Sequence, residues 1–207
     1  MKKLLFSLAA LLIAGVSFGQ TKWGIVAGPQ FSSITAKNVL PGSGKSTSSL
    51  LTSLRAGITA DVPLGDDFYI GTGLLFSGKG GKNKDNSDVK TTLSYLELPV
   101  HFMFKPEVGT GKLVLSAGPY VAYGLGGKVK GIAGGDKNVF DDEAGVFKQK
   151  RFDSGVGINV GYELPVGLFF GLNTDLGLVN TAANTDNSRS FKNTSFGVSV
   201  GYKFGGK

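Results

Sequence analysis

The chain's one histidine, His101, stands in the run Leu98-Pro99-Val100-His101-Phe102 and is its single imidazole for acid–base or ligand chemistry. A hydrolytic Ser/His/acid set needs a carboxylate against the imidazole. The nearest acid on the same face of an extended chain is Glu97. Four residues along a strand is about 13 Å, too far for a direct hydrogen bond. Gly42-Ser43-Gly44-Lys45-Ser46-Thr47 has the tail of a phosphate-binding loop, but the full motif needs a glycine where Val39 stands. Asp141-Asp142-Glu143 offers three adjacent acids, whereas calcium takes six or more oxygens at defined spacing. With no cysteine, thiolate metal sites and disulfides are excluded. These residues predict no catalytic, cofactor or metal site.

The remaining polar residues of interest are Arg55, Asp61, Glu97, His101, Glu163, Asp175 and Lys203. Each falls between large apolar neighbours in a segment that alternates with period two, the period of a β-strand. Eight such segments can be read, with apolar positions running Trp23–Phe31, Leu54–Val62, Phe68–Phe76, Leu96–Phe104, Leu113–Tyr123, Val156–Leu164, Leu168–Leu178 and Phe196–Phe204. At roughly 9–14 residues they exceed the soluble norm of about 5–6 and suit a tilted crossing of a hydrocarbon layer. Links at residues 35–52, 78–90, 126–150 and 180–190 are long. Those at 65–67, 106–111 and 165–167 are tight. Long and short links alternate, so all long loops gather at one end and all short turns at the other, as in transmembrane barrels. The expected fold is all-β: an eight-stranded antiparallel up-and-down transmembrane barrel with short periplasmic turns, long external loops and periplasmic termini.

Alternation alone does not say which face looks inward. In a soluble barrel the apolar residues fill the core; in a membrane barrel they face lipid. The minority face decides. It carries many of the chain's 33 glycines along with the polar residues named above. Strand glycine is costly on a water-exposed sheet but fits a narrow, strongly curved interior. Charges enclosed there must be paired, and Arg55 and Lys203 with Asp61, Glu97, Glu163 and Asp175 supply both signs. We therefore expect a polar lumen network of these residues with His101. Aromatics such as Trp23, Phe68, Phe104, Tyr202 and Phe204 are expected to form interfacial girdles.

The first residues have the pattern of a cleaved export signal: Lys2 and Lys3, an apolar run from Leu4 to Val16, then small residues Ser17 and Gly19 before Gln20. The expected organisation is a signal peptide at 1–19 and one barrel domain at 20–207. Removing Lys2 and Lys3 takes the formal charge from +7 to +5. The basic residues are scattered, so no nucleic-acid partner is expected.

Tyr95-Leu96-Glu97-Leu98-Pro99-Val100, the pairs Gly28-Pro29 and Gly118-Pro119, and the closing Gly201-Tyr202-Lys203-Phe204 resemble the PorT-like group of small outer-membrane β-barrel proteins, a porin family in the loose sense. The resemblance implies an eight-stranded barrel in a bacterial outer membrane. It also implies that Tyr202 and Phe204 serve as the C-terminal signal for the barrel-insertion machinery, although Gly205-Gly206-Lys207 follow here. The expected protein is a non-enzymatic monomer in outer-membrane lipid, with a structural or interaction role through loops 35–52 and 126–150. The alternatives are a narrow passive pore, a soluble periplasmic ligand-binding barrel and, weakest, a lipid-modifying enzyme.

Overall fold

The computed structural model describes residues 21–39, 44–132 and 134–205. The expected leader at 1–19 lies outside them, as do Gly206 and Lys207. Eight long strands build the wall: Lys22–Lys37 (β1), Leu51–Pro63 (β2), Phe68–Lys82 (β3), Lys90–Phe104 (β4), Gly111–Lys130 (β5), Phe152–Glu163 (β6), Leu168–Gly177 (β7) and Ser190–Phe204 (β8). Each pairs antiparallel with its neighbours in the chain, and β1 closes on β8 from Trp23↔Phe204 to Lys37↔Ser190. Closure leaves no strand edge along the wall, the condition a β-structure must meet in lipid. Among the described residues no helix is long and apolar enough to cross a membrane.

The faces are inverted relative to a soluble barrel. Ile25, Ile58, Phe102 and Leu172 point outward and are 54, 51, 54 and 62% exposed. Gln30, Glu97 and Asp153 point inward and are fully buried. Such a surface is unfavourable against water and favourable against acyl chains. Phe68 stacks on Phe102 and Phe104 at ring-centroid distances of 5.5 and 5.0 Å near the short turns. Toward the loops, Phe76, Leu96, Tyr123 and Phe152 lie directly opposite one another across four strands. Phe68 and Phe76 are eight residues apart on one strand, about 20 Å of height at a tilt of about 40°, close to the expected apolar band.

The two Gly-Pro pairs mark places where the wall is pinched. Pro29 and Pro119 cannot donate to the ladder. The pairing is interrupted at both with the register kept, between Ala27↔Val200 and Gln30↔Gly197 and between Pro99↔Tyr120 and Phe102↔Ala117. The neighbouring backbone closes in: a Cβ on Gly28 would sit 1.8 Å from the Val198 carbonyl oxygen, and one on Gly118 2.3 Å from that of Val100. We predict that Gly28→Val destabilises the barrel by about 3 kcal/mol, the upper end of overpacking costs, because it meets backbone. Gly126→Val, whose Cβ meets nothing within 4 Å, should be tolerated. Comparing the heat-shifted fraction on gels for the two variants tests this, and equal behaviour would refute it.

Except for β7, which ends at Gly177, the strands run further toward the loops than the alternation indicates. The long links are 38–50, 83–89, 131–151 and 178–189, shorter than or shifted from the expected 35–52, 78–90, 126–150 and 180–190. Two causes are visible. A bulge pairs Tyr95 with Gly124 but Ser94 with Gly126, leaving Leu125 as an extra residue. Beyond it the outward positions change phase, so the end of β5 did not read as a strand. In β3 the run Gly78-Lys79-Gly80-Gly81 has a loop's composition, yet it stays paired with β4 through Lys82↔Lys90. At the tight-turn end, Leu164 lies just past β6.

Candidate functional site

The lumen contains two ionic clusters, one above the other. The cluster nearer the loops joins five strands across the lumen. Arg55 of β2 reaches Asp175 of β7 at 2.6 Å and Glu97 of β4 at 3.1 Å. Lys79 of β3 reaches Glu97 at 3.0 Å and Asp153 of β6 at 3.6 Å. Ser195 Oγ donates to Asp175 at 3.2 Å and Asn193 Nδ2 to Asp153 at 2.9 Å. The Lys79 ammonium also lies 4.1 Å from the Tyr120 ring centroid, a cation–π contact. Two cations thus face three carboxylates, all buried.

The cluster nearer the turns is held by lysines. Lys203 contacts Asp61 at 2.7 Å and Thr59 Oγ1 at 3.0 Å. Lys105 ion-pairs with Asp61 at 3.0 Å and also with Glu163, and Lys22 reaches Glu163 at 3.2 Å. Between the clusters His101 Nδ1 lies 3.0 Å from Asn159 Nδ2, which is 3.2 Å from Ser116 Oγ. A cavity of about 80 Å³ remains in this layer, lined among others by His101, Met103, Val114 and Phe169. It is room for a few waters, consistent with an eight-stranded lumen filled by side chains.

All seven residues read from the sequence as lumen candidates face this interior. Arg55, Glu97 and Asp175 meet in the upper cluster. Asp61, Glu163 and Lys203 meet in the lower one, and His101 sits between. No carboxylate contacts His101 among the described residues. Lys79, Lys105 and Asp153 escaped the sequence reading, because each stands at a strand end assigned to a link or left unread. The signal was present: Lys79 keeps the phase of Leu75 and Ser77, Lys105 that of His101 and Met103, and Asp153 that of Gly155 and Gly157.

The loops close the outer end. Val139 and Phe140 from the longest loop, with Ala182 and Phe191, pack on Tyr95, Tyr120, Leu93 and Val129 of the wall. Arg151 stacks 4.6 Å from the Phe140 ring centroid. Beside this cap a cleft of about 350 Å³ opens between loops, lined by Ile34, Val39, Ser48, Phe147, Gln149 and Phe191 among others. The P-loop-like run is not a phosphate loop. Lys45–Thr47 is a short strand paired with Thr35–Lys37, and β2 rather than a helix follows; Gly42 and Ser43 lie outside the described residues. Asp142 and Glu143 pair instead with Lys148 and Lys137. Among the described residues no group of three or more metal-ligating side chains is assembled.

Solved structures similar to this chain are barrels of low identity. Ail of Yersinia pestis is 10% identical, covers 89% of this chain and 99% of its own, and has a TM-score of 0.48. Neisserial surface protein A is 12% identical over 88% and 97%, TM-score 0.49, and OprG of Pseudomonas aeruginosa 11% over 90% and 97%, TM-score 0.49. Curated proteins give no match. A protein-family model described as outer membrane protein beta-barrel domain matches residues 18–183, most of the chain. With its closed wall, outward apolar face and ion-filled lumen, this chain belongs to that family of bacterial outer-membrane β-barrels.

Proposed function

We propose that this protein is a monomeric, non-catalytic outer-membrane barrel with an occluded lumen, acting through the capped loop end, where residues 38–50 and 131–151 present its specific surface. The observation that carries this reading is the pair of stacked ionic clusters. Arg55 and Lys79 tie together β2, β3, β4, β6 and β7 across the lumen, with a cavity of about 80 Å³ below them. The wall serves closure, and the cleft between the loops has room for a ligand. His101 bonded to an amide with no acid beside it favours a structural histidine over an acid–base pair.

The same proposal includes export by a signal cleaved before Gln20, and insertion read from the outward-facing Tyr202 and Phe204 at the end of β8. Membership of the PorT-like group within the family is part of the same proposal, supported by the Tyr95–Val100 and Gly201–Phe204 motifs. The test is made on protein extracted from outer membranes. The mature chain should begin at Gln20 by mass spectrometry. The purified barrel should shift on gels when boiled and show no steady conductance in planar bilayers. Reproducible open channels from the wild-type protein would favour the narrow-pore reading and end this one.

A further inference from the structure

The outer wall carries like charges placed face to face. Lys82 of β3 is directly opposite Lys90 of β4, and Lys90 is directly opposite Lys130 of β5. Lys128 stands one outward position below, opposite Thr92. Residues opposite each other share a face. By the two-residue period from outward Leu96 and Leu98, that face is the outside of the barrel. Val129, between Lys128 and Lys130, is the inward residue and is 1% exposed. Like charges directly opposite in adjacent strands destabilise a sheet. Asp136 approaches Lys130 at 3.7 Å. Among the described residues no carboxylate lies within ion-pair distance of Lys82, Lys90 or Lys128. The arrangement recurs one side over, where Lys37 of β1 is opposite Lys45.

The height of the row indicates its partner. Lys128 is three residues beyond outward Leu125, and Lys90 six beyond Leu96. At about 3.3 Å per residue and a tilt of about 40°, the row stands about 8–15 Å above the last apolar side chains. That is the headgroup layer of the outer leaflet. It exceeds the depth of a simple phospholipid headgroup and matches a phosphorylated sugar. The register puts Lys82, Lys90 and Lys130 side by side at this height, with Lys90 also bordering the cleft between the loops. We propose that the row Lys82, Lys90, Lys130, with Lys128, is a binding site for the phosphate-bearing sugar headgroup of an outer-leaflet glycolipid. The anion supplies the counter-charge the strand register otherwise lacks, with charge-assisted contacts from ammonium to phosphate.

This inference rests on the membrane seating. The test therefore records the heat-shift of the wild-type barrel in neutral phosphatidylcholine vesicles first, so that a failure of seating is seen separately. Bis-phosphorylated lipid A is then added to the vesicles. The midpoint of the heat-shift should rise, and the rise should fall by more than half in the Lys82→Gln/Lys90→Gln/Lys130→Gln variant. The corresponding triple arginine variant should keep it. Without glycolipid the glutamine variant should be at least as stable as wild type, because repulsion is removed. Should it fail to fold, the single variant Lys90→Gln, the centre of the row, must show a reduced rise. An equal rise in the glutamine variants, or with dephosphorylated lipid A, overturns the proposal. So does equal protection by the phosphorylated disaccharide without acyl chains, which would point to a soluble anion.

Discussion

Replacing Glu97 with alanine should lower the stability of the folded barrel by about 3–5 kcal/mol, the cost of removing one partner from a buried ion pair. Glu97 is fully buried and ion-pairs with both cations of the upper cluster, Arg55 at 3.1 Å and Lys79 at 3.0 Å. Arg55 would retain Asp175 at 2.6 Å. Lys79 would keep Asp153 at 3.6 Å and the Tyr120 and Tyr95 rings. The loss should therefore fall mainly on Lys79, and removing both members should be milder than removing one. A Lys79→Met/Glu97→Leu variant should recover at least half of the deficit, since apolar replacement of a whole buried pair is often neutral or better. Guanidinium unfolding of the barrel in lipid vesicles measures both. A Glu97→Ala barrel within 1 kcal/mol of wild type would mean the cluster does not brace the wall.

The lumen could be read from sequence because a strand has only two faces, so one outward residue fixes the direction of its neighbours. Arg55, Glu97 and Asp175 stand in three segments where that period is unbroken, and each was placed inside without knowledge of its partner. Their pairing was not legible. Arg55 and Asp175 are 120 residues apart, and only barrel closure, with the relative stagger of β2 and β7, brings them together. Lys79 and Lys105 were missed for a local reason: glycines around Lys79 and Pro106 after Lys105 imitate turns, although the ladder or its adjoining hydrogen bonds continue past them. The bulge at Leu125 hid the end of β5, and with it the row of lysines, because the row exists only in the register between strands. The cap residues Val139 and Phe140 lie in a link without a period, where sequence offers no rule for direction.

Ile58 tests the inversion of faces itself. It lies midway along β2, outward and half exposed, directly between Ile25 of β1 and Leu74 of β3. If this band contacts hydrocarbon, Ile58→Arg places a charge near the bilayer midplane and should cost about 2–4 kcal/mol. Near an interface the same charge should cost about 0–1 kcal/mol, because the side chain reaches headgroups and water. Ser94, outward at the loop end of β4 and level with the bulge, is that position, and Ser94→Arg is the matched control. Were the outer face bathed in water, both changes would be ordinary surface substitutions within about 0.5 kcal/mol. Reversible guanidinium unfolding from vesicles should thus separate Ile58→Arg from Ser94→Arg by at least 1 kcal/mol. The depth dependence, rather than the size of either effect, is what a soluble barrel cannot reproduce: its outer surface meets one solvent at every height, whereas a bilayer presents two.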